Sequence, residues 1–245
     1  MARIFLLVTV FLSSIVAAET PKEAPPRTAR FFPVGEAPPF RQEIRDGVRY
    51  ELEAPPGSIP PLEVLHIDSK VTDKPTELRL GRISAPVKVP SGEGLYQLLS
   101  AADQPREKPW YQFQRPESGD FLVLFWRKPG LAGWNEVSHL LLPDGPFGCP
   151  ANTVCIANIF HQSVQLIWGS EVIILKAGAH ISKDIKPGAE VSIRILSAGP
   201  TGTAVRYFST TVTQNPGERG WIVLYRADGE KPRRPLKVLM IREPV

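Results

Sequence analysis

From residue 41 onward the chain alternates short apolar runs with Gly, Pro, Asp and Asn, and within the runs apolar positions recur every second residue. That period marks half-buried strands, and no long stretch keeps the 3.6-residue stripe of a helix. One series of expected strands covers 62–67, 77–81, 87–89, 109–114, 121–127 and 139–142. A second covers 153–160, 164–169, 172–175, 191–196, 205–213, 221–226 and 238–241. The segment 94–102 suits a short helix or a strand. Six or seven short strands per half, with a turn signal every 8–12 residues, indicate a β-sandwich.

The halves also resemble each other. Leu-Arg-Leu-Gly (78–81) matches Leu-Ile-Trp-Gly (166–169), and Phe-Leu-Val-Leu-Phe (121–125) matches Trp-Ile-Val-Leu-Tyr (221–225). The expected organisation is therefore a duplicated one, a first sandwich over 58–146 and a second over 147–245, joined at Pro143-Asp144-Gly145-Pro146. One larger β domain is the alternative. The run 121–127 is apolar on both faces, Phe121, Val123 and Phe125 on one and Leu122, Leu124 and Trp126 on the other. Such a strand must be covered on both sides, so the halves should pack together.

Proline changes the picture before residue 62. There are 26 prolines in 245 residues, about twice the usual share, and ten lie between Pro21 and Pro61. Proline lacks the amide hydrogen and restricts its predecessor, which excludes helix there. Residues 19–57 read as a Pro-rich linker, extended over 19–40, with a small hairpin at 41–53. A three-residue loop over Arg45-Asp46-Gly47 would pair Ile44 with Val48 and keep apolar with apolar.

The first 18 residues have another character. Arg3 precedes an apolar run from Ile4 to Val16, and Val16 and Ala18 stand at −3 and −1 of a cleavage site after Ala18. This is the pattern of a secretory signal peptide. The run of 13 residues is too short for a bilayer, which takes about 20. An exported chain is expected, periplasmic or extracellular, with 227 of the 245 residues left after cleavage and no transmembrane segment in the mature part. Export makes a Cys149–Cys155 disulfide plausible, provided the chain turns at Pro150-Ala151-Asn152.

Val-Cys-Ile-Ala-Asn-Ile-Phe-His-Gln-Ser-Val-Gln-Leu-Ile-Trp-Gly (154–169), followed by Leu-Lys-Ala-Gly-Ala (175–179), resembles the opening of small immunoglobulin-like domains in uncharacterised secreted bacterial proteins. The resemblance covers mainly residues 150–245. It implies an envelope or extracellular location and two tandem immunoglobulin-like β-sandwiches in an all-β chain. It implies no activity, and it transfers no functional residue. The stretch 62–81 departs from the pattern, having no Asn at the equivalent place and His66 instead.

The formal charge of +4 is too small to indicate nucleic acid. The four histidines, His66, His139, His161 and His180, lack metal-pair spacing, and neither HExxH nor CxxC occurs; no metal or cofactor is indicated. No G-x-S-x-G, P-loop or G-x-G-x-x-G is present. Asp120, Glu171, Asp184 and Glu190 would serve a glycosidase only if two converged. Aromatics crowd 110–134, and most are expected to fill the first core and the contact between the halves. Trp134, Trp110 and Tyr111 are the candidate binding residues, able to stack on sugar rings or anchor a partner if exposed, with Trp134, in a loop, the best candidate for exposure. Lys231, Arg233, Arg234 and Lys237 form a basic loop, read as a solvated hairpin end. The leading expectation is a non-catalytic exported module that binds an envelope protein or polysaccharide, or has a structural role. A carbohydrate-binding module and a secreted hydrolase are the alternatives.

Overall fold

The computed structural model describes residues 27–67, 74–102, 108–131, 133–199, 202–229 and 232–245. The signal-peptide segment and the start of the Pro-rich stretch lie outside them. The regular structure of the described chain is almost entirely strand. β1 (Arg27–Pro33) is followed by a hairpin of β2 (Gln42–Arg45) and β3 (Val48–Glu51). Then come β4 (Glu63–His66), β5 (Thr76–Glu77), β6 (Val87–Val89), β7 (Gly94–Ser100), β8 (Tyr111–Arg115), β9 (Phe121–Arg127) and β10 (Val137–Pro143). A short helix, α1 (Gly145–Gly148), leads to β11 (Thr153–Asn158), β12 (Val164–Trp168), β13 (Glu171–Leu175), β14 (His180–Asp184), β15 (Glu190–Ala198), β16 (Ala204–Thr213), β17 (Glu218–Arg226) and β18 (Leu236–Pro244).

The sheets repeat. In the first unit the orders are β10-β9-β1-β6 and β5-β4-β7-β8; in the second, β18-β17-β11-β14 and β13-β12-β15-β16. Each unit encloses its own core. The first is built on Phe31, Tyr96, Phe113, Phe121 and Phe125, the second on Ile156, Leu166, Ile193, Ile222 and Leu224. A third core lies between them, where Phe32, Leu122, Leu124 and Leu142 meet Ala157, Trp221 and Val223. β9 thus sends Phe121, Val123 and Phe125 into its own core and Leu122 and Leu124 into the shared one, the arrangement its two apolar faces require.

Two local expectations are corrected and one open alternative is settled. First, Arg27–Pro33 is a core strand and not a linker. It pairs parallel to β9, with Phe31 beside Val123, and antiparallel to β6. Its single proline closes the strand at Pro33, where it removes no interior ladder bond. Second, the hairpin turns over two residues and pairs Ile44 with Arg49. Asp46 and Gly47 both have positive φ, 52° and 78°, as a type I′ turn needs. Both strands are exposed throughout, so no buried face selects the apolar register, and the turn decides instead. Third, Gly94–Ser100 is a strand, because its alternate residues Tyr96 and Leu98 fill the first core.

The sheet orders repeat, but the strands correspond in a different register from the one the sequence suggests. Val34 N–H donates to Phe125 O at 2.7 Å and Ile159 N–H to Leu224 O at 2.8 Å. Phe125 therefore corresponds to Leu224, one residue away from the pairing with Tyr225 that the sequence suggests. With both faces apolar, hydrophobic pattern does not resolve a one-residue slip. Likewise Gly81 N–H donates to Pro33 O and Gly178 N–H to Asn158 O, both at 2.8 Å. Leu-Arg-Leu-Gly (78–81) thus matches Leu-Lys-Ala-Gly (175–178), not Leu166–Gly169. Gly81 and Gly178 both have φ of 75°, which only glycine adopts without strain.

Cys149 and Cys155 form a disulfide with Cα atoms 6.1 Å apart. The turn between them holds Asn152 at φ 63°, a conformation asparagine tolerates. The bond pins α1 to β11 inside the shared core. Closing so short a loop is worth about 2 kcal/mol against the unfolded chain. Cys149→Ser/Cys155→Ser is expected to lower the unfolding free energy by that amount in urea titrations. An unchanged midpoint would refute this role.

Candidate functional site

Two polar locks tie the units together. In the shared core Arg30 makes a bidentate pair with Asp144, Nε to Oδ2 at 2.6 Å and Nη2 to Oδ1 at 2.8 Å. It also donates to both oxygens of Glu243, at 2.5 and 2.9 Å. Arg219 joins from the other side, with Nε 2.7 Å from Glu243 Oε1 and Nη1 3.0 Å from Asp144 Oδ1 and 2.9 Å from Cys149 O. Trp221 Nε1 donates to Glu243 Oε1 at 2.8 Å. Asp144 and Glu243 occupy equivalent places in the two units, 99 residues apart like Phe125 and Leu224. Burial pushes the Glu243 carboxyl up. The hydrogen bonds from Arg30 and Trp221 and the charges of Arg30 and Arg219 outweigh burial and hold it below the usual carboxylate range. Burial lowers the Arg30 pKa, but the same carboxylates more than reverse that. Two charges of each sign therefore sit in mutual contact, as buried ions must.

The second lock lies at the opposite end of the parallel strands β1, β9, β11 and β17. Glu36 N–H donates to Asp228 Oδ2 at 3.0 Å, and Asp228 N–H donates to Glu36 Oε2 at 2.8 Å. Asp228 also pairs with Arg127, and Glu36 with Lys237 at 3.1 Å. These two carboxylates are spent on a clasp across the units.

Above this clasp opens a cleft of about 1110 Å³ between the units. Its walls come from the loops that leave the four parallel strands and from Pro38, Pro39, Pro55 and Pro56. Trp126, Phe160 and Tyr225 supply aromatic surface, and Arg226 and His161 supply polar groups. Burial, then Glu36 and Asp228, push the Tyr225 hydroxyl up to about 12, so it stays protonated and able to donate at neutral pH. Burial, then Arg226, lowers the His161 pKa.

One wall exists in only one repeat. The connection from β1 to β4 runs over residues 34–62, 29 residues, whereas its counterpart from β11 to β12 runs over 159–163, five residues. A long connection added to one copy of a duplicated scaffold, and lining a cleft, is where function concentrates.

The residues singled out in the sequence fall elsewhere. Trp134 is 1% exposed and belongs to the first core; the expectation of an exposed loop tryptophan is corrected. The chain turns it inward by a bond from Trp134 N–H to Gly57 O, 2.7 Å. Trp110 is half-buried on the same core and donates Nε1–H to Trp134 O at 2.8 Å. Tyr111 packs edge-on to Phe125, with its hydroxyl 2.7 Å from His139 Nδ1. The three do come together, as core and not as a sugar platform. Asp120 accepts from Thr28 N–H and Oγ1–H, and Glu171 pairs with Lys183. Among the described residues no three His, Cys, Asp or Glu side chains gather as a metal site would need. Of the basic loop, Arg233 and Arg234 are exposed, and Lys231 lies outside the described residues.

The class of protein that this fold defines is a tandem, all-β, two-unit chain with a cleft at the junction. No protein-family model matches it, and no curated protein matches it either. The missed cleft residues include Glu36, after β1, and Tyr225, Arg226 and Asp228, at the end of β17 and just beyond it; the two segments share no local motif. The unequal connection lengths are the signal that would have found them.

Proposed function

We propose that this chain is a non-catalytic exported module of the cell envelope, with two immunoglobulin-like sandwiches held rigidly together, and that it binds its ligand in the cleft between them. The observation that carries this reading is the insertion 34–62, present in one repeat and walling the cleft. Ligand sites favour concave, mostly apolar junctions with a few polar groups, and the cleft has that make-up. Glu36 and Asp228 favour binding over hydrolysis, since both are taken up by the clasp. The export signal and the disulfide support the envelope location.

Exposed Ala177 stands on the rim, so Ala177→Trp narrows the cleft without touching a core. Mature wild-type protein is expected to retain a ligand from envelope extract or from a polysaccharide panel, and Ala177→Trp to lose at least tenfold in affinity at an unchanged melting temperature. Retention of nothing by the wild type, or equal retention by both, contradicts the proposal.

A further inference from the structure

We propose that the cleft takes an amphipathic organic anion, a single apolar chain between the two units with its carboxylate or phosphate head at a rim formed by Arg226, Arg233 and Arg234. This rests on the cleft being the binding site.

Around the cleft and an adjoining pocket of about 410 Å³, which share Glu36 and Ala227, stand Arg127, Lys128, Arg226, Arg233, Arg234 and Lys237 against only Glu36 and Asp228. Asp228 is matched by Arg127 and Glu36 by Lys237, while Lys128 turns to Glu136 at 3.0 Å. Arg226, Arg233 and Arg234 have no acidic partner among the described residues. Arg226 in the cleft and Arg233 and Arg234 in the pocket beside it attract an anion and can hold it by charge-assisted hydrogen bonds.

The rest of the cleft is the wrong surface for a free inorganic anion. Trp126, Phe160, Leu131, Pro38, Pro39 and Pro55 wall it, and Leu131 is 43% exposed. Such walls gain from covering by an apolar body. The Tyr225 hydroxyl, a donor at neutral pH, lines the same cleft. A sugar polymer would use aromatic faces and amide or carboxylate side chains. Here the charged side chains left over among the described residues are cationic.

Titration calorimetry of the mature chain would use dodecanoate and dodecyl phosphate below their micelle concentrations, with dodecyl maltoside as the neutral chain and acetate and inorganic phosphate as heads alone. One molecule of either dodecyl anion per chain is expected, with at least tenfold weaker binding of the maltoside and none of the bare heads. Arg226→Gln/Arg233→Gln/Arg234→Gln should weaken the anions at least tenfold and leave the maltoside unchanged. Ala177→Trp should weaken all three dodecyl ligands. Vesicles of anionic phospholipid should leave the protein in solution. The ligand class is overturned if the anions do not bind, if the neutral chain binds as well, or if either variant behaves as wild type. Retention on vesicles through the same arginines would reassign the rim to a membrane surface. If the dodecyl anions fail while extract or polysaccharide still loses to Ala177→Trp, the cleft stands and only the ligand class falls. If nothing binds in the cleft, both fall.

Discussion

Replacing Arg30 with alanine is expected to destabilise the chain by about 3–5 kcal/mol, the cost of breaking a buried ion pair by removing one partner. Arg30 lies in β1 of the first unit with its side chain 9% exposed, and it contacts both Asp144 and Glu243. Without it, two carboxylates face Arg219 alone, and one negative charge is left buried and uncompensated. For a chain of this size the melting temperature should fall by roughly 10 °C. Arg45→Ala is the matched control. Its partner Glu43 is also exposed, and surface pairs contribute 0–1 kcal/mol. A melting temperature for Arg30→Ala within 2 °C of the Arg45→Ala value would show that the buried square does not hold the units together. Acid should reach the same lock. The Glu243 carboxyl sits below its ordinary range when folded, so its contribution is present above the unfolded pKa, near 4.3. That contribution is lost as the pH falls through the folded value.

A larger pH effect should come earlier, from His66. The imidazole is buried between Thr76 Oγ1, 2.7 Å from Nε2, and the Tyr96 hydroxyl, 2.8 Å from Nδ1, with the Phe31 ring stacked at 5.6 Å. Burial lowers its pKa to about 4 from 6.5. Above pH 6.5 the ring is neutral whether the chain is folded or not. Below it the unfolded chain takes up a proton that the folded chain refuses, so stability falls with pH by ~1.4 kcal/mol per unit. Between pH 7.5 and 5.0 urea titrations should lose about 2 kcal/mol from this residue. His139 and His161, also lowered by burial, add to the slope with the same sign. His66→Gln keeps a hydrogen-bonding side chain and removes the titration, so most of the slope should vanish. A wild-type protein equally stable at both pH values, or a variant with an undiminished slope, refutes the assignment.

Much of this architecture is legible in the residues, and the failures have physical causes. Period-two runs locate nearly every strand, and the doubly apolar 121–127 forecasts the shared core. β1 escaped notice because Pro21, Pro25, Pro26, Pro33, Pro38 and Pro39 surround it. Those prolines flank or end the seven residues that pair, where they do no harm to the ladder. His180–Asp184 escaped because its burial is only partial. Trp134 looked exposed from its Gly-Leu-Ala-Gly-Trp-Asn surroundings, yet a loop can turn one large side chain inward to close the end of a sandwich. The cleft was the least visible part. Its residues come from loops brought together by the packing of one unit on the other, and no window of sequence records that packing.

In the proposed function, ligand binds between the two units, against the wall that the connection 34–62 supplies. Hydrogen–deuterium exchange on the mature chain, with and without whichever ligand it retains, tests that directly. The expected footprint is slowed exchange at residues 34–39, 126–131, 159–161 and 225–229, with the outer sheet β13-β12-β15-β16 unchanged. Slowing confined to that outer sheet, or to the exposed hairpin β2–β3, would contradict it.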